Sequence, residues 1–151
     1  MKIVIASDHA GYPLKSLVIE AATGLGCDVH DVGCFSEEPV DFPDITRKAA
    51  GEVLEGRAER GILVCGTGAG AVMAANKISG IRCALAHETY TAHQAVEHDD
   101  ANMIAMGNWL APKALIPDII RNFIEATFDD TPETVRRVEM LNEMDGRGDL
   151  A

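Results

Sequence analysis

Of the whole chain, the stretch from Gly61 to Lys77, GILVCGTGAGAVMAANK, most narrowly limits how it can fold. Ile62, Leu63 and Val64 form a short, continuous apolar run of the kind buried on both faces of a parallel sheet, and the run stops at Gly66. Cys65 therefore falls at the carboxyl end of a strand. Gly66, Gly68 and Gly70 remove side chains from the turn that follows, so its N–H groups can point inward, and Ala69 to Ile78 carries a helical pattern. Open α/β sheets bind their ligands at this place. A thiol edged by free N–H groups would have its thiolate stabilised, which suits a base or nucleophile beside an oxyanion or phosphate cradle. The same turn admits a dinucleotide fingerprint, with Glu88 spaced for a ribose, but it reads GxGxG rather than GxGxxG and follows the third strand. A tight turn without a ligand is the plainest alternative.

The other segments alternate in the same way. Lys2 to Ser7 is a strand ending in the polar turn Asp8-His9-Ala10-Gly11, and Leu14, Leu17, Val18 and Ala21 follow at helical spacing. Cys27 to Val32 alternates as a second strand, Gly33 to Asp44 is a loop, and Pro43 opens a helix to about Gly56. Ile81 to Ala86 and Asn102 to Met106 are the fourth and fifth strands, separated by a helix from Thr89 to about His98. Pro112 starts a helix to Thr127, and Pro132 to Met144 is the last helix before the tail Gly146 to Ala151. Five strands alternating with helices predict one α/β domain over residues 1–151 with a doubly wound parallel sheet. Its strand ends would bring Asp8, His9, Cys65, His87 and the segment Asn102 to Gly107 to one edge.

Composition excludes several classes of function. With 151 residues and 47% hydrophobic content a core is easily built, and 5% aromatics make that core aliphatic and rich in alanine. A formal charge of −11 and a pI near 4.7 argue against nucleic acid and anionic membrane as partners. The first residues are too short an apolar run for a signal peptide or a membrane span. Cys27, Cys34, Cys65 and Cys83 lack CxxC spacing and read as reduced thiols of a cytoplasmic protein. Small-molecule chemistry is the remaining expectation.

Cys27 and Cys83 fit buried apolar positions, whereas Cys65 stands directly before three alternating glycines that have no evident core purpose. Asp8 and His9 suit proton transfer or hydroxyl binding, and Asp8 equally suits a helix cap. His87, His93 and His98 with Glu88, Glu97, Asp99 and Asp100 invite a metal, but spacings of six and five residues fit no zinc helix, so no metal or other cofactor is expected. His98, at a helix end before the fifth strand, could act as a general acid. Arg136 and Arg137 serve either surface salt bridges or anion capture. A thiolate base, an oxyanion cradle, an Asp–His pair and a distant acid histidine suit proton abstraction α to a carbonyl, hence a metal-independent aldose–ketose isomerase.

The sequence also resembles the ribose-5-phosphate isomerase B type, a family that includes galactose-6-phosphate and allose-6-phosphate isomerases. The resemblance rests on SDHAGYPLK at Ser7 to Lys15, VDFPD at Val40 to Asp44, ILVCGTGAGAVMAANK at Ile62 to Lys77, GIRCAL at Gly80 to Leu85, and EHDDANMIAMG at Glu97 to Gly107. It implies a Rossmann-like three-layer α/β/α fold and a homodimer, or a dimer of such dimers, with active sites at the subunit interface. It also implies Cys65 as the base moving a proton between C1 and C2, with Thr67 hydrogen-bonded near it. Gly66, Gly68, Ala69 and Gly70 would hold the enediolate, His98 would open the sugar ring, Asp8 would take the hydroxyl proton, and His9 would bind substrate.

Certain positions depart from that family. Asp99 replaces an asparagine, Trp109 replaces an arginine, Glu133 lies in a segment that replaces a Gly-Gly-Arg-His turn, and Phe42 stands where tyrosine is common. Arginine holds phosphate bidentately and tryptophan or glutamate does not, so the anion site is expected to be reduced to Arg136 and Arg137. Trp109 offers an apolar face on which a sugar could stack, which suits a different or unphosphorylated sugar. A non-catalytic sugar- or nucleotide-binding relative is the further alternative.

Overall fold

A computed structural model describes residues 1–145; the tail Gly146 to Ala151, with Arg147, lies outside the described residues. The strands are β1 (Lys2–Ser7), β2 (Asp28–Asp31), β3 (Arg60–Cys65), β4 (Cys83–Leu85) and β5 (Met103–Gly107). They make one parallel sheet in the order β2-β1-β3-β5-β4. The helices are α1 (Tyr12–Gly24), α2 (Phe42–Leu54), α3 (Ala69–Ala75), α4 (Thr89–Asp99), α5 (Ile116–Glu125) and α6 (Pro132–Met144).

Alternation along the central strands sends side chains to two cores. Ile3, Ile5, Ile62, Val64, Ile104 and Met106 pack with Leu14 and Val18 of α1 and with Ile119, Ile120 and Phe123 of α5. Val4, Ala6, Leu63, Met103 and Ala105 meet Ala49 and Ala50 of α2 and Ala71 and Ala75 of α3. The second core is alanine-rich, so helices lie close to the sheet, and Phe123 is the one aromatic in either buried core among the described residues. Arg60 at the start of β3 reaches the end of α5, donating to the carbonyls of Phe123, Ile124 (3.3 Å) and Ala126 (2.8 Å). A cation there satisfies the helix's free carbonyls. No helix among the described residues is long and apolar enough to cross a membrane.

Several boundaries fall inside the expected ones, for local reasons. β4 begins at Cys83 rather than Ile81 because the side chains of Asn102 and Asn76 take the N–H groups of Arg82 and Cys83, at 2.9 and 2.8 Å. The helix expected from Pro112 is a 3-10 turn over Lys113–Leu115 followed by α5, where Pro117 sits in the first turn and lacks only a hydrogen bond that no helix could use. α3 ends at Ala75, short of Ile78, and β2 covers only Asp28–Asp31.

The order of strands reverses between β1 and β3, which are neighbours, so the turns after both open at the same point of the sheet edge. Close backbone approach there depends on Gly11. A methyl group at Gly11 would lie 2.1 Å from the Val64 carbonyl oxygen. Gly11→Ala is therefore expected to destabilise the protein by about 3 kcal/mol, the upper end for overpacking, because backbone rather than a flexible side chain must move. Urea unfolding checks this, and an unchanged midpoint refutes it.

Candidate active site

Cys65, the last residue of β3, is half-buried, and its thiol donates to Asp8 Oδ2 at 2.8 Å. Asp8, only 6% exposed, is held from the other side: its Oδ1 accepts the Gly11 N–H at 2.8 Å, while its own N–H donates to the Val64 carbonyl. Asp8 is thus not the expected cap of α1, whose N-cap is Gly11 without a side-chain cap; its carboxylate instead closes the turn before that helix and faces the thiol.

Burial, first, and then the Asp8 carboxylate push the Cys65 thiol pKa up, against the N–H groups of Gly68 and Gly66, which pull it down. The expected stabilised thiolate is thus corrected: the resting group is a thiol, because burial and an adjacent carboxylate outweigh two N–H groups. Its proton already points at the oxygen that can receive it.

The glycine turn also has packing work. The Trp109 ring lies over Gly66, leaving only 2.8 Å for a methyl group, and the Trp109 N–H donates to the Gly66 carbonyl at 3.0 Å. Gly68 has φ 84°, a conformation open to glycine. Ala69 and Gly70 begin α3. Thr67 Oγ1 accepts the Ala69 N–H at 3.3 Å rather than bonding the Cys65 sulfur, so Thr67 shapes the turn. The glycines thus do serve packing, contrary to the expectation from sequence.

On the neighbouring turn, His9 Nδ1 accepts the Val40 N–H at 3.2 Å, which leaves Nε2 protonated and available as a donor. Asn108, which the sequence did not single out, donates from its backbone to the Cys65 carbonyl and from its side chain to the Ala10 carbonyl at 3.0 Å. It clips the turn after β5 to the turns after β1 and β3. Trp109 itself is 69% exposed at the mouth of this site.

Other expected residues lie elsewhere. α4 starts at the carboxyl edge of the sheet and runs back, so its last turn, with His98 and Asp99, sits at the amino edge, roughly 16 Å away along an 11-residue helix. His98 and Asn102 are therefore not at the edge that holds Cys65. His98 is half-exposed, with Nε2 3.7 Å from Glu97. The Asp99 carbonyl accepts from Arg82, which also pairs with Asp100 at 2.5 Å and closes the end of α4. α6 packs on α4, and Arg136 and Arg137 are exposed on it, Arg137 lying 3.8 Å from Glu133.

Glu88 caps α4, accepting the N–H groups of Tyr90 and Thr91, so it is not turned toward the glycine loop as a ribose ligand would be. Among the described residues no three His, Cys, Asp or Glu side chains converge to hold a metal. A groove of about 580 Å³ between Arg82–Ala84, the end of α4 and the end of α6 is a poor candidate for chemistry, since burial pushes its thiol, Cys83, to about 12.

Residues 3–141 match the Ribose/Galactose Isomerase family. Ribose-5-phosphate isomerase B of Clostridium thermocellum superposes with a TM-score of 0.91 at 40% identity, covering 95% of this chain and 97% of the other. Ribose-5-P isomerase B of Listeria innocua is 35% identical over 145 residues, 96% of this chain and 97% of its own length. Ribose-5-phosphate isomerase B of Escherichia coli K12 is 33% identical over 146 residues, 97% of each. The family and these relatives make the chain an aldose–ketose isomerase. The chain belongs to the ribose/galactose isomerase family.

Removing the charge of Asp8 tests the balance at the thiol. Asp8→Asn keeps an acceptor for Gly11 but removes the carboxylate, so iodoacetamide should alkylate Cys65 faster at neutral pH, by about tenfold for each unit the thiol pKa falls. Mass-spectrometric mapping of the alkylated site reads the rate; a slower rate would mean that Asp8 does not hold the proton.

Proposed function

We propose that the protein interconverts an aldose phosphate and its ketose through an enediolate, with Cys65 as the carbon base. The observation that carries this is the 2.8 Å contact between the Cys65 thiol and Asp8 beside the N–H groups of Gly66 and Gly68. Asp8 first receives the thiol proton. The thiolate takes the proton from C2 of the open-chain aldose while protonated Asp8 gives its own to O1. Asp8 then removes the O2 proton while Cys65 returns its proton to C1, and the proton now on Asp8 passes back to the thiolate, so the protons balance and both groups regain their starting state. The loop N–H groups face the negative charge as it develops on the two oxygens. His9, through Nε2–H, donates to a substrate hydroxyl.

The active unit is a homodimer. His98, Asp99, Arg136 and Arg137 lie at the sheet edge opposite Cys65, so only a second copy can bring them to the reacting sugar. Exposed Trp109, Leu110, Leu115, Met140 and Leu141 give such a copy apolar surface to cover. His98 of that copy opens the sugar ring, Arg136 and Arg137 hold the anionic end, and Trp109 stacks on the carbon chain. Glu133 beside Arg137 weakens the anion site and favours, as a second reading, a sugar without phosphate.

A panel of tetrose, pentose and hexose phosphates with the matching free sugars tests the reaction; no turnover of any by folded protein overturns it. Cys65→Ala should lose about a hundredfold or more in kcat. Mixing Cys65→Ala with His98→Ala should restore about a quarter of the wild-type sites, since half the dimers are mixed and each has one intact site. No restoration means that His98 does not act across a dimer.

A further inference from the structure

His87 follows β4, at the same edge as Cys65, and neither a metal nor the proposed proton transfers use it. Its Nε2 accepts the Gly107 N–H at 2.9 Å. An N–H group can only donate, so Nε2 bears a lone pair, and the ring is neutral with its proton on Nδ1. The backbone of Thr67, in the glycine turn, is the ring's other polar neighbour. Burial, the larger influence, lowers the pKa of His87, and the Thr67 backbone opposes it.

Thr67 and Gly107 are themselves in contact. Gly107 is the last residue of β5 and lies opposite Cys65 in the sheet, and a methyl group on it would fall 2.5 Å from the Thr67 backbone. The ring therefore spans two backbone segments that touch. One of them is the turn whose Gly66 and Gly68 N–H groups face the thiol. Glu88, the charged neighbour in the chain, is turned away to cap α4. A side chain that accepts from one segment and lies against the backbone of the other holds the turn in place. A hydrophobic residue of the same size would fill the space without holding the turn.

We propose that His87, as the Nδ1–H tautomer, is a positioning residue for the isomerisation: it ties Thr67 to Gly107 so that the Gly66 and Gly68 N–H groups stay aimed at the thiol and the developing enediolate. This rests on the isomerase reaction proposed above. The residue touches no reacting atom and acts only through the loop. Its loss should lower the rate of chemistry more than substrate affinity, because a misaimed donor is felt most where charge develops.

Three measurements test it. Nitrogen NMR of the wild-type imidazole should show a protonated Nδ1 and an unprotonated Nε2; the opposite tautomer overturns the proposal. His87→Phe should lower kcat by about tenfold to a hundredfold with KM changed less than about twofold, and His87→Gln, whose Oε1 can accept from Gly107, should recover part of the loss. Equal kcat in all three proteins overturns it. The pH profile of alkylation mapped to Cys65 needs no substrate: in His87→Phe it should move to higher pH as the loop N–H groups lose their aim, and an unmoved profile overturns the proposal. If the wild-type protein turns over no sugar, the isomerase reading fails, while the tautomer and the alkylation profile still decide whether His87 sets the loop.

Discussion

Two backbone segments meet where β1 and β3 end, and the distance between them governs the site. Gly11 lies against the Val64 carbonyl with no room for a methyl group, and Asp8 donates its N–H to that same carbonyl. Because the two turns are held this close, the carboxylate of one and the thiol of the other are within hydrogen-bonding distance. Asn108 then fastens the turn after β5 to both, and Trp109 closes over Gly66. Side chains would have spread these turns apart; glycines and backbone hydrogen bonds draw them together.

The electrostatics follow from that closeness. A thiol at a glycine turn in an open cleft would lose its proton easily, yet here burial and Asp8 both favour the protonated form, and two N–H groups oppose them only in part. The consequence is a thiol that keeps its proton, directed at the neighbouring carboxylate. A thiol in this state is also slow to oxidise, because oxidants attack the thiolate.

The order of elements was legible in the sequence because apolar runs of strand length and helical spacing alternate without interruption, and the last helix falls at Pro132–Met144 as its spacing predicts. The pairing of Asp8 with Cys65 at one edge followed from strand ends. What the sequence hid were contacts that leave no pattern. Asn76 and Asn102 shorten β4 through side-chain amides, and His87 bonds backbone atoms distant in the chain. Asn102 was expected with the rest of its segment at the edge that holds Cys65, although it precedes β5 (Met103–Gly107) and so lies at the amino edge. The packing role of Gly66 and Gly68 depends on Trp109 and Leu85, neither of which lies near them in the chain.

The separation of Cys65 from the end of α4 has one more implication. The glycine loop is wedged among the ends of β1, β3 and β5, where a methyl group on Gly66, Gly68 or Gly107 would come within 2.8, 2.6 or 2.5 Å of a neighbour. The surface of α6 rests mainly on α4, Arg82 donating besides to Asn142 (3.3 Å), and Thr134 and Val138 are its buried residues. Substitutions on the exposed face of the outer helix therefore leave the contacts that set the inner turn untouched.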